Sequence, residues 1–273
     1  MKPHIVFVYD QKNESYWKDG LWAAVELLSK EWDITKINIH YQVPPAQILS
    51  PVDFVLGWGG FSSPVDEFLE NMISNCKKGL CLGGYGYTLP LAKYDVIFYE
   101  TEWSKKWLGN ALKIGTYTPK MVHAFGINTD IFRPVIIPKI WDFITVGTFS
   151  LWKRQEKLLR KKGMRLAVGP IQKDNMSESI DILGKLLLDG ITVSDEVPPD
   201  KLALLYNASK TCYLPANNNG GSERCVLEAR SCGTKVEIEP DNPKLAELLT
   251  CKLWDAKYYA SQLKKGILSC LSE

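Results

Sequence analysis

The chain has 273 residues, 45% of them hydrophobic and 23% charged, with a net charge of +2. This is the profile of an ordinary globular protein with enough apolar mass for a sizeable core, and it excludes disordered, fibrous and strongly basic nucleic-acid-binding classes. At about 150 residues per domain the length favours two small domains over one.

Apolar runs rich in β-branched and aromatic residues mark strands at 4–9, 34–39, 53–58, 79–84 and 95–100. Leu21, Val25 and Leu28 at helical spacing predict one intervening helix, and Val65, Phe68, Leu69 and Met72 behind the Ser63-Pro64 start signal predict another. After the proline-marked stretch 133–138 the alternation restarts, with strands at 142–147, 165–169, 191–193, 211–214 and 234–238. Helices are expected between them at about 152–162, 177–189, 200–208 and 223–231, and a last helix at 255–271. Strand alternating with helix predicts parallel sheets covered on both faces. The expected architecture is therefore α/β: one Rossmann-like domain over residues 1–135 and a second over 136–273, whose final helix can pack back on the first. The expected site is a cleft between them.

No apolar run approaches the roughly 20 residues of a membrane span, and the N-terminus passes straight into a strand pattern, so a cytoplasmic protein with no membrane span is expected. The seven cysteines are scattered without CxxC spacing, which indicates neither a disulfide framework nor a zinc site. Aromatic residues are uneven, with 21 of 30 in residues 1–136. That half has a bulkier core or presents ring faces to a ligand.

Gly57-Trp58-Gly59-Gly60 and Gly83-Gly84-Tyr85-Gly86 each close a strand pattern, but neither reads GxGxxG, so a dinucleotide fingerprint is absent. They are tight turns, or places where the backbone approaches a ligand closely. More specific is the segment 216–233, where a strand runs into the polar loop Asn217 to Gly221, a helix starts near Ser222, and Gly233 ends it. A glycine loop opening a helix presents unpaired N–H groups and a positive dipole end, a natural seat for a diphosphate, with Arg224 as a fork donor beside it. The alternative is that Arg224 and Glu228 form only a surface helix pair. Lys153, Lys157, Arg160 and Lys161 repeat at helical spacing and read mostly as a solvated helix face with its first turn toward phosphate.

Here the chain resembles the retaining GT-B glycosyltransferases, specifically glycosyltransferase family four. Leu227 to Val236 aligns without a gap to the end of that family's EGFGxxxLEAxAxGxPV motif. Phe125 to Pro134 resembles NGVDxxxFxP, Val146 to Arg154 resembles VGRLxxxKG, and Leu202 to Ser209 is similar to the ELxxLYxxAD helix. The resemblance implies two Rossmann-like domains facing across a cleft. It also implies a donor site of Gly147, Thr148, Lys153, Arg154, Gly220, Gly221, Ser222, Arg224 and Glu228, holding a UDP- or GDP-type sugar as substrate with no further cofactor. Glu228 would bind ribose hydroxyls, and Lys153 would neutralise the leaving diphosphate. Arg154 would be a second cation, because Thr148 stands where the family has arginine. Gly220 stands where the family has its first glutamate; Glu223, three residues on, either reaches the same sugar hydroxyls or is an ordinary first-turn acid. The candidate catalytic residues are Glu223, Lys153 and Arg154.

The family's first-domain histidine is absent near Gly83 to Tyr85, so the acceptor side rests on rings at strand ends: Trp17, Trp58, Tyr85 and Tyr87, with Gly84. These rings are equally readable as core. The leading expectation is metal-independent, retaining transfer of a hexosyl-type group to an acceptor hydroxyl on a glycan, a lipid-linked sugar, a small molecule or a hydroxylated base; no DxD metal motif occurs. The alternatives are a non-catalytic nucleotide-sugar-binding relative and a GT-B nucleotide-sugar 2-epimerase, the latter disfavoured by a chain with only three histidines.

Overall fold

The structure, a computed structural model, describes residues 2–12, 14, 17–41, 51–71, 76–83, 88, 90–112, 117–172 and 175–272. These residues gather into two compact units, Met1–Gly126 with Trp254–Glu273, and Ile127–Leu253. Each is a parallel sheet layered with helices, the doubly wound arrangement that the strand and helix periodicities imply.

In the first unit, strands β1 (His4–Tyr9), β2 (Asp33–Asn38), β3 (Phe54–Gly59), β4 (Lys77–Leu82), β5 (Val96–Tyr99) and β6 (Lys120–His123) pair in the order β2-β1-β3-β4-β5-β6. The helices are α1 (Gly20–Leu28), α2 (Pro64–Asn71) and α3 (Glu102–Leu112). Val65 and Leu69 of α2 and Leu108 and Leu112 of α3 join Val6, Val55, Leu80 and Ile97 in one core. The glycines of β3 serve this packing: a Cβ on Gly57 would meet Leu69 Cδ1 at 2.6 Å, and one on Gly59 would meet Ser63 Oγ at 2.8 Å. The close approach there is to α2. Beneath it the fully buried Asp66 carboxylate accepts from Tyr94 and from the Ser62 N–H at 2.8 Å, so the buried charge is hydrogen-bonded.

The last helix, α8 (Ala256–Leu271), packs in this unit against α1 and strands β4 to β6. Asp255 caps it by accepting from the Tyr258 N–H. Its stripe of Leu263, Ile267 and Cys270 has no exposed surface, and Gly266 lets it close on β5, since a Cβ there would meet Phe98 Cε1 at 2.5 Å.

The second unit pairs β7 (Trp141–Val146), β8 (Arg165–Val168), β9 (Thr192–Ser194), β10 (Ser209–Leu214) and β11 (Lys235–Ile238) in the order β11-β10-β7-β8-β9. Its helices are α4 (Met176–Leu188), α5 (Pro199–Asn207), α6 (Glu223–Ser231) and α7 (Pro243–Thr250). Ile182 and Leu186 of α4 pack with Phe149, Leu158, Ala167 and Tyr213. Elements α3, β6 and α7 lie in segments for which the sequence reading names none.

One expected helix differs. Residues 151–154 form turns, and only a short 3-10 helix, Gln155–Arg160, follows in place of a helix over 152–162. The run of cations is only partly a solvated face: Arg160 is exposed, but Lys157 pairs with Glu239 at 2.6 Å, Lys161 pairs with Glu237, and the Lys161 ammonium lies 4.2 Å from the Tyr213 ring centre. Among the described residues no helix is long and apolar enough to cross a membrane.

Leu263→Ala should destabilise the protein by about 2–5 kcal/mol in denaturant unfolding, the usual range for emptying a packed leucine site. Leu268→Ala, on the exposed face of the same helix, should change stability by less than about 0.5 kcal/mol. Equal effects from the two would mean that α8 is not seated as described.

Candidate nucleotide-sugar site

Strand order in the second sheet reverses at β7, with β8 on one side and β10 on the other. Outside the carboxyl ends of such strands lies the usual ligand crevice of an open α/β sheet. The segments leaving β7, β8 and β10 meet there, and glycines set how closely. A Cβ on Gly169 would fall 2.0 Å from the Gly147 carbonyl oxygen, and one on Gly220 would fall 2.2 Å from the Trp152 carbonyl oxygen. Gly147 itself has φ +139°, a conformation side chains rarely adopt. The buried Gln155 amide donates to the carbonyls of Gly147 and Thr148 at 3.0 and 2.8 Å, fixing the first loop from behind.

This framework lays the Lys153 side chain along Gly147, whose Cβ position is 3.2 Å from Lys153 Cε, and brings its ammonium 2.9 Å from Ser222 Oγ. Ser222 is the N-cap of α6 yet makes no side-chain cap bond; its oxygen accepts from Lys153. It is buried and sits at φ 87°, a left-handed conformation that costs a non-glycine residue about 1–3 kcal/mol and persists only when its surroundings dictate it. The start of α6 therefore keeps its N–H groups uncapped by that side chain, with an ammonium beside them. Burial pulls the Lys153 pKa below the ordinary lysine range; the Glu223 carboxylate opposes this, while Arg224 and Lys244 reinforce it.

Two carboxylates share the helix. Glu228 is buried and accepts from the Tyr206 hydroxyl at 3.4 Å, so it is not half of a surface pair, although Arg224 is exposed. Glu223 is also buried: Oε1 lies 2.7 Å from the ammonium of Lys244, and Oε2 lies 3.4 Å from the Cβ position of Gly221. Between them, burial and the Glu228 charge push the Cys225 thiol up to about 11, which keeps it protonated and poorly nucleophilic at neutral pH.

Arg154 goes elsewhere. It takes a left-handed conformation, φ 52°, at the position where the VGRLxxxKG pattern has its glycine. Its guanidinium is engaged by both Asp241 oxygens at 2.7 Å and by the Pro215 carbonyl at 2.7 Å. The site residues brought together are thus Gly147, Lys153, Gly220, Gly221, Ser222 and Glu223, with Glu228 on the same helix as Glu223. Thr148 contributes its carbonyl to the Gln155 clamp.

In the first unit Trp17 is buried, its indole N–H donates to Asp19 at 2.8 Å, and Phe7, Tyr9, Trp22 and Trp58 surround its ring at 4.8–5.9 Å. It is a core ring. Trp58 is half-buried beside Trp17 and Gly83, while Gly84, Tyr85 and Tyr87 lie outside the described residues.

Sequence reasoning missed the residues that hold these loops. Asn242 donates to the carbonyls of Ala216 and Asn217 at 3.0 and 2.8 Å, and Asp241 and Lys244 flank it on the turn into α7. The Asn242-Pro243 start signal with Leu245 and Leu248 behind it could have revealed α7; nothing local marks Gln155. Among the described residues no three His, Cys, Asp or Glu side chains converge to hold a metal ion.

No protein-family model matches the sequence, and no curated protein matches it. Solved structures do. Sucrose-phosphate synthase from Thermosynechococcus elongatus superposes with a TM-score of 0.67 at 14% identity, over 99% of this chain and 91% of that one. HepE from Anabaena, in complex with UDP and glucose, gives 0.63 at 11% identity over 98% and 90%. A glycosyltransferase from Rickettsia africae gives 0.61 at 15% identity over 99% and 89%. The chain has the GT-B fold. Within GT-B terms, the loops just described belong to the second Rossmann-like unit.

Lys153→Met should separate stability from function. Because the folded-state pKa of Lys153 is lowered, the ammonium destabilises the fold at neutral pH, and that penalty is relieved as pH rises toward the unfolded lysine value of about 10.4. The variant should therefore be more stable than wild type at pH 7, by a margin that shrinks toward pH 10. Denaturant unfolding at both pH values tests this; a variant less stable than wild type at pH 7 would contradict the burial argument.

Proposed function

We propose that this protein transfers a sugar from a nucleoside-diphosphate sugar to an acceptor hydroxyl, with retention of anomeric configuration and without a metal ion. The observation that carries the reading is the Lys153 ammonium held against Ser222 at the start of α6, at the carboxyl edge of the strands where the sheet order reverses. An ammonium, N–H groups and the positive end of a helix dipole at one point suit a dianionic diphosphate. The donor bond from the anomeric carbon to the diphosphate breaks and the bond to the acceptor oxygen forms on the same face. The acceptor proton leaves with the diphosphate oxygen. Lys153, Arg224 and the N–H groups of Gly221 and Ser222 stabilise the charge that develops on the leaving group.

In this reading Glu228 binds the ribose hydroxyls, with Tyr206 fixing its second oxygen. Glu223 faces the donor sugar across Gly221 in place of the glutamate that the family motif has at Gly220. Arg154 acts indirectly: its clamp on Asp241 and Pro215 holds the turn that presents Lys153. The acceptor belongs to the first unit, at Trp58 with Gly84, Tyr85 and Tyr87, and Trp17 supports Trp58 from beneath. UDP and glucose, present in the HepE complex, are the first ligands to test.

Calorimetric titration with UDP and GDP in chelator should show binding of one of them by the wild-type protein, and donor consumption with an acceptor panel should give product of unchanged anomeric configuration by NMR. Binding that needs added divalent metal, or an inverted product, would overturn the corresponding part. Glu228→Gln should weaken nucleoside-diphosphate binding by about 1.5–3 kcal/mol through loss of charge-assisted bonds to the ribose. Unchanged affinity in a folded variant removes Glu228 from the site. Trp58→Ala should raise the acceptor KM and leave donor affinity intact, whereas Trp17→Ala should cost about 3–5 kcal/mol of stability.

A further inference from the structure

Lys244, in the first turn of α7, has no exposed surface, and its ammonium lies 2.7 Å from Glu223 Oε1, which is itself buried. Stability does not explain such a pair. Two charges stripped of water recover little more than a well-packed apolar pair of the same volume gives. Removing one partner, by contrast, strands a charge. The pair's surroundings suggest what it does instead. Glu223 Oε2 and the Lys153 ammonium flank the same point of the backbone, lying 3.4 and 3.3 Å from where a Cβ on Gly221 would stand. Lys244 is close enough to Lys153 to oppose its charge. An uncompensated Glu223 would therefore place a buried anion at the point where the donor diphosphate is proposed to sit.

The residues around Lys244 add an independent reason to look here. Within one turn of chain, Asp241 grips Arg154, Asn242 holds the carbonyls of Ala216 and Asn217, and Lys244 meets Glu223. The segment entering α7 thus reaches both loops of the donor site and the first turn of α6.

We propose that Lys244 is a positioning residue that sets the charge of the diphosphate seat: by neutralising Glu223 it keeps the start of α6 cationic, and it holds the second carboxylate oxygen toward Gly221 for the donor sugar. This deepens the donor-site reading and rests on it. The charge sum then dictates three different signs. Glu223→Gln leaves the seat one unit more positive, Lys244→Met leaves it one unit more negative, and the double variant restores the wild-type sum.

The test is a calorimetric cycle with UDP, or GDP if that is what the wild-type protein takes, and with the corresponding nucleoside as a control without phosphate. Glu223→Gln should tighten diphosphate binding about three- to tenfold, Lys244→Met should weaken it about ten- to a hundredfold, and the double variant should return to within about threefold of wild type. Nucleoside affinity should stay the same throughout. If either single variant does not fold, the other single variant and the double variant, which has no buried charge to strand, carry the test. A Glu223→Gln variant that binds the diphosphate no tighter than wild type, or a double variant that loses diphosphate and nucleoside affinity together, would show that the pair only ties α7 to α6. Wild-type protein that binds neither diphosphate would overturn the donor-site reading and this inference with it; wild-type binding with no change of sign across the cycle would overturn this inference alone.

Discussion

Two carbonyl oxygens, those of Gly147 and Trp152, stand where side chains at residues 169 and 220 would begin, and the geometry of the second unit follows from that crowding. Backbones pressed this closely leave few conformations for the segments between them. Lys153 is drawn across Gly147 to the start of α6, Ser222 is held left-handed, and Arg154 is held left-handed on the other side of Lys153. Each strained residue has a partner that dictates it: Lys153 for Ser222, and Asp241 with Pro215 for Arg154. A cap bond made by Ser222 to its own helix would have satisfied one of the N–H groups at the helix end. The serine oxygen faces a cation instead.

The same crowding accounts for the departures from the sequence pattern. A glutamate at residue 220 would collide with the Trp152 carbonyl, so the carboxylate that the motif has there cannot be accommodated. The next acid along the chain is Glu223, three residues on, buried and matched by Lys244. Likewise, an arginine fills a glycine's backbone conformation at 154 because a bidentate carboxylate holds the far end of its side chain.

What the sequence made legible is local. Alternating apolar runs located every strand of the two sheets except β6, Ser63-Pro64 located the start of α2, and the segment 216–233 located a loop, a helix and a glycine stop that coincide with α6. What stayed hidden depends on partners distant along the chain. Lys153, Lys157 and Lys161 recur at helical spacing, but the latter two meet Glu239 and Glu237, roughly eighty residues on, and the chain tightens into a 3-10 turn instead of an exposed helix. Periodicity cannot distinguish a charged stripe facing water from one facing carboxylates. Trp17 illustrates the same limit for aromatics: a ring between polar residues reads as a loop platform until Asp19 takes its N–H and four other rings enclose it.

Charge placement ties these observations together. Of the cations in the 153–161 segment, Arg154, Lys157 and Lys161 are matched by Asp241, Glu239 and Glu237, whereas Lys153 turns inward to Ser222 and Arg160 is exposed. The ladder anchors the segment to the strand-end region of β11 while delivering a single ammonium to α6. Burial lowers the pKa of that ammonium, a penalty the ligand-free fold bears. A dianion arriving at the seat would relieve the penalty, because an opposite charge favours the protonated amine and the desolvation has already been met in the free protein. Ligand charge would then couple to stability through Lys153, and the Glu223–Lys244 pair behind it would set how much positive charge the ligand encounters.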